Sequence, residues 1–155
     1  MNRFVWFCIA VCVVTFPAQA DFGAGLAAYD AGDYAAAREA WQPLAENGDP
    51  DALVALASLY VEGVGMRQDY ILAAKLFRRA ADQGFMVAQL NLGDYYARGR
   101  GVPRDLASAW MWLSLAARQG SAWSAARRDK IATQMSDTDL QQAARRLADW
   151  RPAAR

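Results

Sequence analysis

Residues 52 to 84 of this chain recur at 88 to 120, and copies 36 residues apart can bury their apolar surfaces only by stacking on one another. Ala52 answers Ala88, Leu56 answers Leu92, Tyr60 answers Tyr96 and Asp69 answers Asp105; Ala73 answers Ala109, Ala80-Ala81 answers Ala116-Ala117, and Gly84 answers Gly120. A stack of this kind works through its shape and its exposed strip. The sequence therefore points to a class of function and not to one partner.

Apolar residues return at helical spacing within each copy. Leu53, Leu56, Leu59 and Tyr60 mark a first helix, and Ile71, Ala74, Phe77 and Ala81 a second; the next copy repeats this with Leu90, Leu92, Tyr95 and Tyr96, then Leu106, Trp110, Leu113 and Ala117. Each unit reads as helix, turn, helix. Between the helices stand Gly63-Val64-Gly65 and Gly99-Arg100-Gly101. Gly63 and Gly99 sit where a helix must stop, and glycine enters the left-handed region without the clash a Cβ brings. Gly65 and Gly101 let the chain reverse at once. Asp69 and Asp105 then stand where a carboxylate can accept the orphan amides of the next helix, so they read as N-caps and not as catalysts. Alanines at 73, 74, 80, 81, 107, 109, 116 and 117 predict close helix approach, with Phe77, Leu113, Tyr60 and Tyr96 filling the gaps.

A shortened copy precedes these two. Asp33, Ala37 and Gly48 fall in register with Asp69, Ala73 and Gly84 of the second helix, and only this first copy lacks the Gly-x-Gly loop. Downstream, 121 to 135 reads as another first helix, with a partner that starts at Ser136, is supported by Asp139 in a near capping box, and runs through Leu140, Ala143, Leu147 and Trp150 to Pro152. Arg127, Arg128, Lys130, Arg145 and Arg146 make this last pair polar enough to cap a finite stack.

The pattern Ala-x3-Leu-x3-Tyr-x2-Gly-x-Gly-x3-Asp-x3-Ala-x6-Ala-Ala-x2-Gly resembles the Sel-one-like repeat family, within the tetratricopeptide-repeat-like superfamily. Two departures touch packing: Ala57 stands where the family usually has glycine, as at Gly93, and Leu113 replaces the usual aromatic. The resemblance implies an all-α, right-handed solenoid of about eight helices. Its divisions are a partial repeat at 23–50, full repeats at 51–86 and 87–122, and capping helices at 123–151. It further implies protein–protein interaction, often in bacterial envelope or secretory settings, and no enzymatic activity.

Residues 1 to 20 read as a secretory leader: Arg3, an apolar run from Phe4 to Phe16, Pro17, then the small-residue site Ala18-Gln19-Ala20. Cleavage after Ala20 would leave 21–155 as the working domain, periplasmic or secreted, with no membrane span; the run is shorter than the roughly 20 residues a spanning helix needs. Uncleaved anchoring and a lipid anchor at Cys12 are the weaker readings. Cys8 and Cys12 both lie in that leader, so no disulfide is expected in the remainder.

Charge is unevenly spread. Residues 21 to 87 hold ten acids and five bases, and 88 to 155 hold six acids and eleven bases. Solvated faces explain this most simply; the alternatives are head-to-tail association of an otherwise monomeric protein, or an acidic partner on the basic half. A nucleic-acid partner does not fit a secretory route.

The chain has no histidine, which excludes triads built on an imidazole base, and the ordinary zinc sites are excluded with the cysteines confined to the leader. No cofactor or metal is expected, and no catalytic residue stands out. Lys75 and Lys130 sit among charged neighbours on helices and read as solvated. The acid-rich Asn47-Gly48-Asp49-Pro50-Asp51 lacks the remaining ligands of a calcium loop and reads as a helix end and restart. What remains is a surface. If first helices line the concave side, as the resemblance implies, then Val54, Ser58, Val61 and Glu62 continue into Leu90, Asp94, Ala97 and Arg98. Leu90 could equally belong to the core. Such a strip would take an extended or helical peptide, with Glu62 and Arg98 setting its polarity. Trp112 and Trp123 are added as candidate anchors, against the commoner role of aromatics as filling between helices. The alternatives to an adaptor are a carboxylate-based cell-wall hydrolase and a self-assembling structural protein.

Overall fold

A computed structural model describes residues 21–153; the expected leader and its two cysteines lie outside the described residues. Eight helices follow in order: α1 (Phe22–Asp30), α2 (Tyr34–Glu46), α3 (Pro50–Glu62), α4 (Tyr70–Asp82), α5 (Met86–Arg98), α6 (Leu106–Arg118), α7 (Ala122–Ala132) and α8 (Asp137–Asp149). Each of the first six packs on the next, which is the expected solenoid.

The ends of the helices are where the sequence placed them. Gly63 and Gly99 close α3 and α5 at φ 70° and 67°, and their amides donate to the carbonyls of Leu59 and Tyr95. The Asp69 carboxylate accepts the amides of Ile71 and Leu72, and Asp105 accepts those of Ala107 and Ser108. Asp49 caps α3 through the Ala52 amide at 2.8 Å, with Pro50 in the first helical turn, so the acid-rich segment is a turn. Ser136 and Asp139 complete their capping box.

The copies are tied together by the same bonds one register apart. Gln83 donates to the Gly48 carbonyl at 2.8 Å, and Gln119 donates to the Gly84 carbonyl at 3.0 Å. At Gly101 a Cβ would run into the Tyr70 carbonyl, so this glycine lets the loop lie directly against the start of α4. The core runs through the stack as Ala37, Trp41, Leu53, Leu59, Ala73, Phe77, Ala81, Leu92 and Trp112, all buried. Helices rich in alanine approach closely. Gly93 shows the limit, since a Cβ there would lie 2.7 Å from Leu113 Cγ.

The last helix departs from the expected pairing. α8 folds back across α6 instead of lying along α7. Its apolar stripe explains the choice: Ala143 and Leu147 are buried, and Trp150 packs edge-on to Trp112 at 6.2 Å. Arg146 meets Asp105 Oδ2 at 3.2 Å and the Ser108 hydroxyl at 3.1 Å. The tail ends with the Ala153 amide on the Asp82 carbonyl.

Candidate interaction surface

The first helices α1, α3, α5 and α7 form one face and the second helices α2, α4 and α6 another. On the first-helix face the same helical positions recur. Val54 on α3 answers Leu90 on α5, and Val87 on α5 answers Trp123 on α7, each 36 residues on. Val54 is half-buried against the core, whereas Leu90 is half-buried and outside both core clusters, so it belongs to the surface. Val87 is 40% exposed, Trp123 49% and Leu26, on α1, 47%. Large apolar side chains are thus left this open on α1, α5 and α7 among the described residues.

The polar members of the strip are mostly engaged with neighbouring helices. Glu62 accepts the Tyr29 hydroxyl at 2.9 Å, joining α1 to α3 and pushing the Tyr29 phenol above its ordinary value, first through that bond and then through burial. Asp94 takes Arg98 at 2.7 Å and Arg127 at 3.1 Å, joining α5 to α7. The Ser58 hydroxyl donates back to the Val54 carbonyl at 3.0 Å. Glu62 and Arg98 remain exposed at the helix ends and Asp94 is half-buried between its two arginines; Val61 and Ala97 are half-buried.

Trp112 corrects the expectation. It is 1% exposed and cannot anchor a partner, because Trp150 and the Arg78 guanidinium, 5.1 Å from its ring, close over it. Leu26, Tyr29, Val87 and Arg127 were not anticipated. Val87 could have been found by stepping back 36 residues from Trp123, which the sequence had already offered as an anchor. The α1 pair could not, since losing the Gly-x-Gly loop shifts α1 out of that step: Gly25 packs on Trp41 where Gly93 packs on Leu113.

Among the described residues no group of three or more His, Cys, Asp or Glu is placed to hold a metal, and no helix is long and apolar enough to cross a membrane. The carboxylates nearest the strip are held by hydrogen bonds to neighbouring helices.

Comparison with known proteins agrees with the architecture. The Sel1 repeat matches residues 50–85 and 87–121. The chain is 38% identical to the ERAD-associated E3 ubiquitin-protein ligase component HRD3A of Arabidopsis thaliana, over 45% of this chain and 10% of that protein. It is 35% identical to an exopolysaccharide production negative regulator of Rhizobium leguminosarum bv. viciae, over 50% of this chain and 33% of that one. It thus spans a third or less of these relatives. Among solved structures, a protective antigen of uropathogenic Escherichia coli with an SLR fold superposes with a TM-score of 0.78 at 27% identity, over 83% of this chain and 28% of that chain. A Sel1 repeat protein from Oxalobacter formigenes superposes with a TM-score of 0.64 at 34% identity, over 72% and 90%.

Proposed function

The chain belongs to the Sel1 repeat family, and from that premise we propose that it is an adaptor that holds a segment of another protein along its first-helix face. The observation that carries this is the set Leu26 on α1, Val87 on α5 and Trp123 on α7, apolar and exposed, with Val54 and Leu90 half-buried between them. The flanking charges suit a peptide of defined direction. Glu62 lies toward the acidic half of the stack, and Arg98, Arg127 and Lys130 toward the basic half. Trp123 supplies the kind of large aromatic contact that dominates binding energy at such surfaces. Binding, not catalysis, is the work of this face.

The secretory reading of residues 1 to 20 places the adaptor in the periplasm or outside the cell. N-terminal sequencing of protein recovered from the envelope fraction checks it: the expected first residue is Asp21, and an intact Met1 would exclude processing.

The surface is tested with the double variant V54E/L90E and with W123A. Immobilised natural protein should retain a binding protein from an envelope extract that both variants lose by more than about tenfold, a loss of about 1.4 kcal/mol, while helical circular dichroism stays unchanged. Equal retention by folded variants would remove this face from the function. The pair E62A/R98A should weaken capture less and mainly at low salt, because exposed charges are screened.

A further inference from the structure

The second-helix face holds two grooves that correspond under the 36-residue step, and only one is filled. Between α4 and α6 the groove is closed by the chain itself. Ser108 is bonded by Arg146, Trp112 is covered by Trp150, Leu115 and Leu147 are buried in the same core cluster, and the Asp82 carbonyl takes the tail amide. Arg78 fills the middle, over the rings of Tyr96 and Trp112.

One repeat earlier the counterparts are Leu72, Leu76 and Arg79 on α4, with Gln42 and Glu46 on α2 in place of Arg78 and Asp82. These residues surround a hollow of about 180 Å³ floored by Leu56 and Tyr60. It is open for a physical reason: Gln42 turns aside to Glu46 at 3.1 Å, and Leu76 is smaller than the Trp112 that fills the same place in the next groove. Two cations border it. Arg38 is half-buried with no ion-pair partner among the described residues, and Arg79 donates only to the backbone carbonyls of Ala45 and Glu46. In the closed groove their counterparts are the uncharged Ala74 and Leu115.

We infer that the α2/α4 groove is a second docking site, distinct from the first-helix strip, for an amphipathic helix of a partner protein. That helix sets two large apolar residues three apart into the hollow and presents a carboxylate to Arg79 and Arg38. The chain's own α8 and tail show that this geometry accepts such a segment, with Leu147 and Trp150 as the apolar pair. The two cations state how the occupant differs. Arg151 and Leu115 line the same hollow at the closed groove, so in the open one an acid at that place would share the hollow with Arg79.

The probe is a synthetic peptide of residues 137–153 carrying R151E, titrated into the isotope-labelled protein and followed by backbone amide shifts. Saturable shifts are expected at Leu56, Tyr60, Leu72 and Leu76, with Ser108 and Trp112 unmoved. The exposed change R79A should weaken binding about tenfold. The double variant Q42R/L76W, which copies the filled groove, should abolish it. No saturable shift up to about 1 mM peptide, shifts confined to Ser108 and Trp112, or unchanged affinity in folded R79A would each overturn the site.

Discussion

α4 and α6 occupy equivalent places in successive repeats, with the same aspartate cap and the same buried alanines, yet they differ along one side. Lys75 and Arg79 of α4 face solvent, whereas their counterparts Met111 and Leu115 of α6 are buried. The difference is α8, which lies on α6 and leaves this side of α4 bare. Positions common to both copies build the inside of the stack. Positions that change from charged to apolar between copies show where something leans on it.

The strongest way to break this contrast is to remove the side chain that α8 covers. W112A should lower stability by about 3–5 kcal/mol, because a large buried ring leaves a cavity under both Trp150 and Arg78. L76A removes the equivalent side chain of α4, which already borders an open hollow, and should stay near the lower end of the roughly 2–5 kcal/mol range. Chemical denaturation of the two variants side by side checks the order. Equal losses would mean that α8 adds nothing to the burial of α6.

A smaller change on the covering side sharpens the same point. L147A should cost about 2–3 kcal/mol and loosen α8 before the rest of the stack, since Leu147 is the buried centre of its stripe. Hydrogen exchange reads this as faster exchange in 137–149 with α3 to α5 unchanged.

Most of this architecture was legible in the sequence, for reasons that differ by position. Gly63, Gly99, Asp69 and Asp105 act on their own backbone, so their roles follow from local chemistry wherever the helices pack. Ala73 and Ala109 are readable because a repeated small residue means repeated close approach. The docking of α8 was not readable from its own capping box and stripe, which specify a helix with one apolar side and say nothing of its neighbour. The signal lay elsewhere, in the replacement of Lys75 and Arg79 by Met111 and Leu115. Trp112 was misplaced for the same reason: a tryptophan on a helix reads as an anchor until the element that covers it is known.

The exposed ion pair that guides α8 is worth less than its burial. R146A should cost only about 0.2–1 kcal/mol, since both partners are substantially exposed. Its pH dependence identifies it. Burial pushes the Asp105 carboxyl up, but the Ser108 hydroxyl and amide together with Arg146 outweigh this and hold it below the ordinary value. A carboxyl lowered in the folded state stabilises the fold above the unfolded value near 3.9 and loses that contribution as pH falls through the folded value. The gap between natural protein and R146A should therefore be full at neutral pH and close below about pH 3.9; a gap independent of pH would assign the loss to packing of the arginine stem.

The smallest effect at neutral pH tests a difference inside the stack, where Leu59 of α3 is matched by Tyr95 of α5. The Tyr95 hydroxyl is buried without a hydrogen-bond partner among the described residues, so Y95F removes an unsatisfied polar group and should leave stability at neutral pH unchanged or slightly higher. Burial pushes this phenol up to about 12, against the opposing pull of Arg100. A group raised in the folded state stabilises the fold below its unfolded value near 10 and loses that contribution as pH climbs toward the folded value. Natural protein should accordingly lose more thermal stability than Y95F between about pH 10 and 12. Parallel curves for the two proteins would show that the tyrosine ionises as freely in the fold as out of it, and that the interior of the second copy is as open to water as its surface.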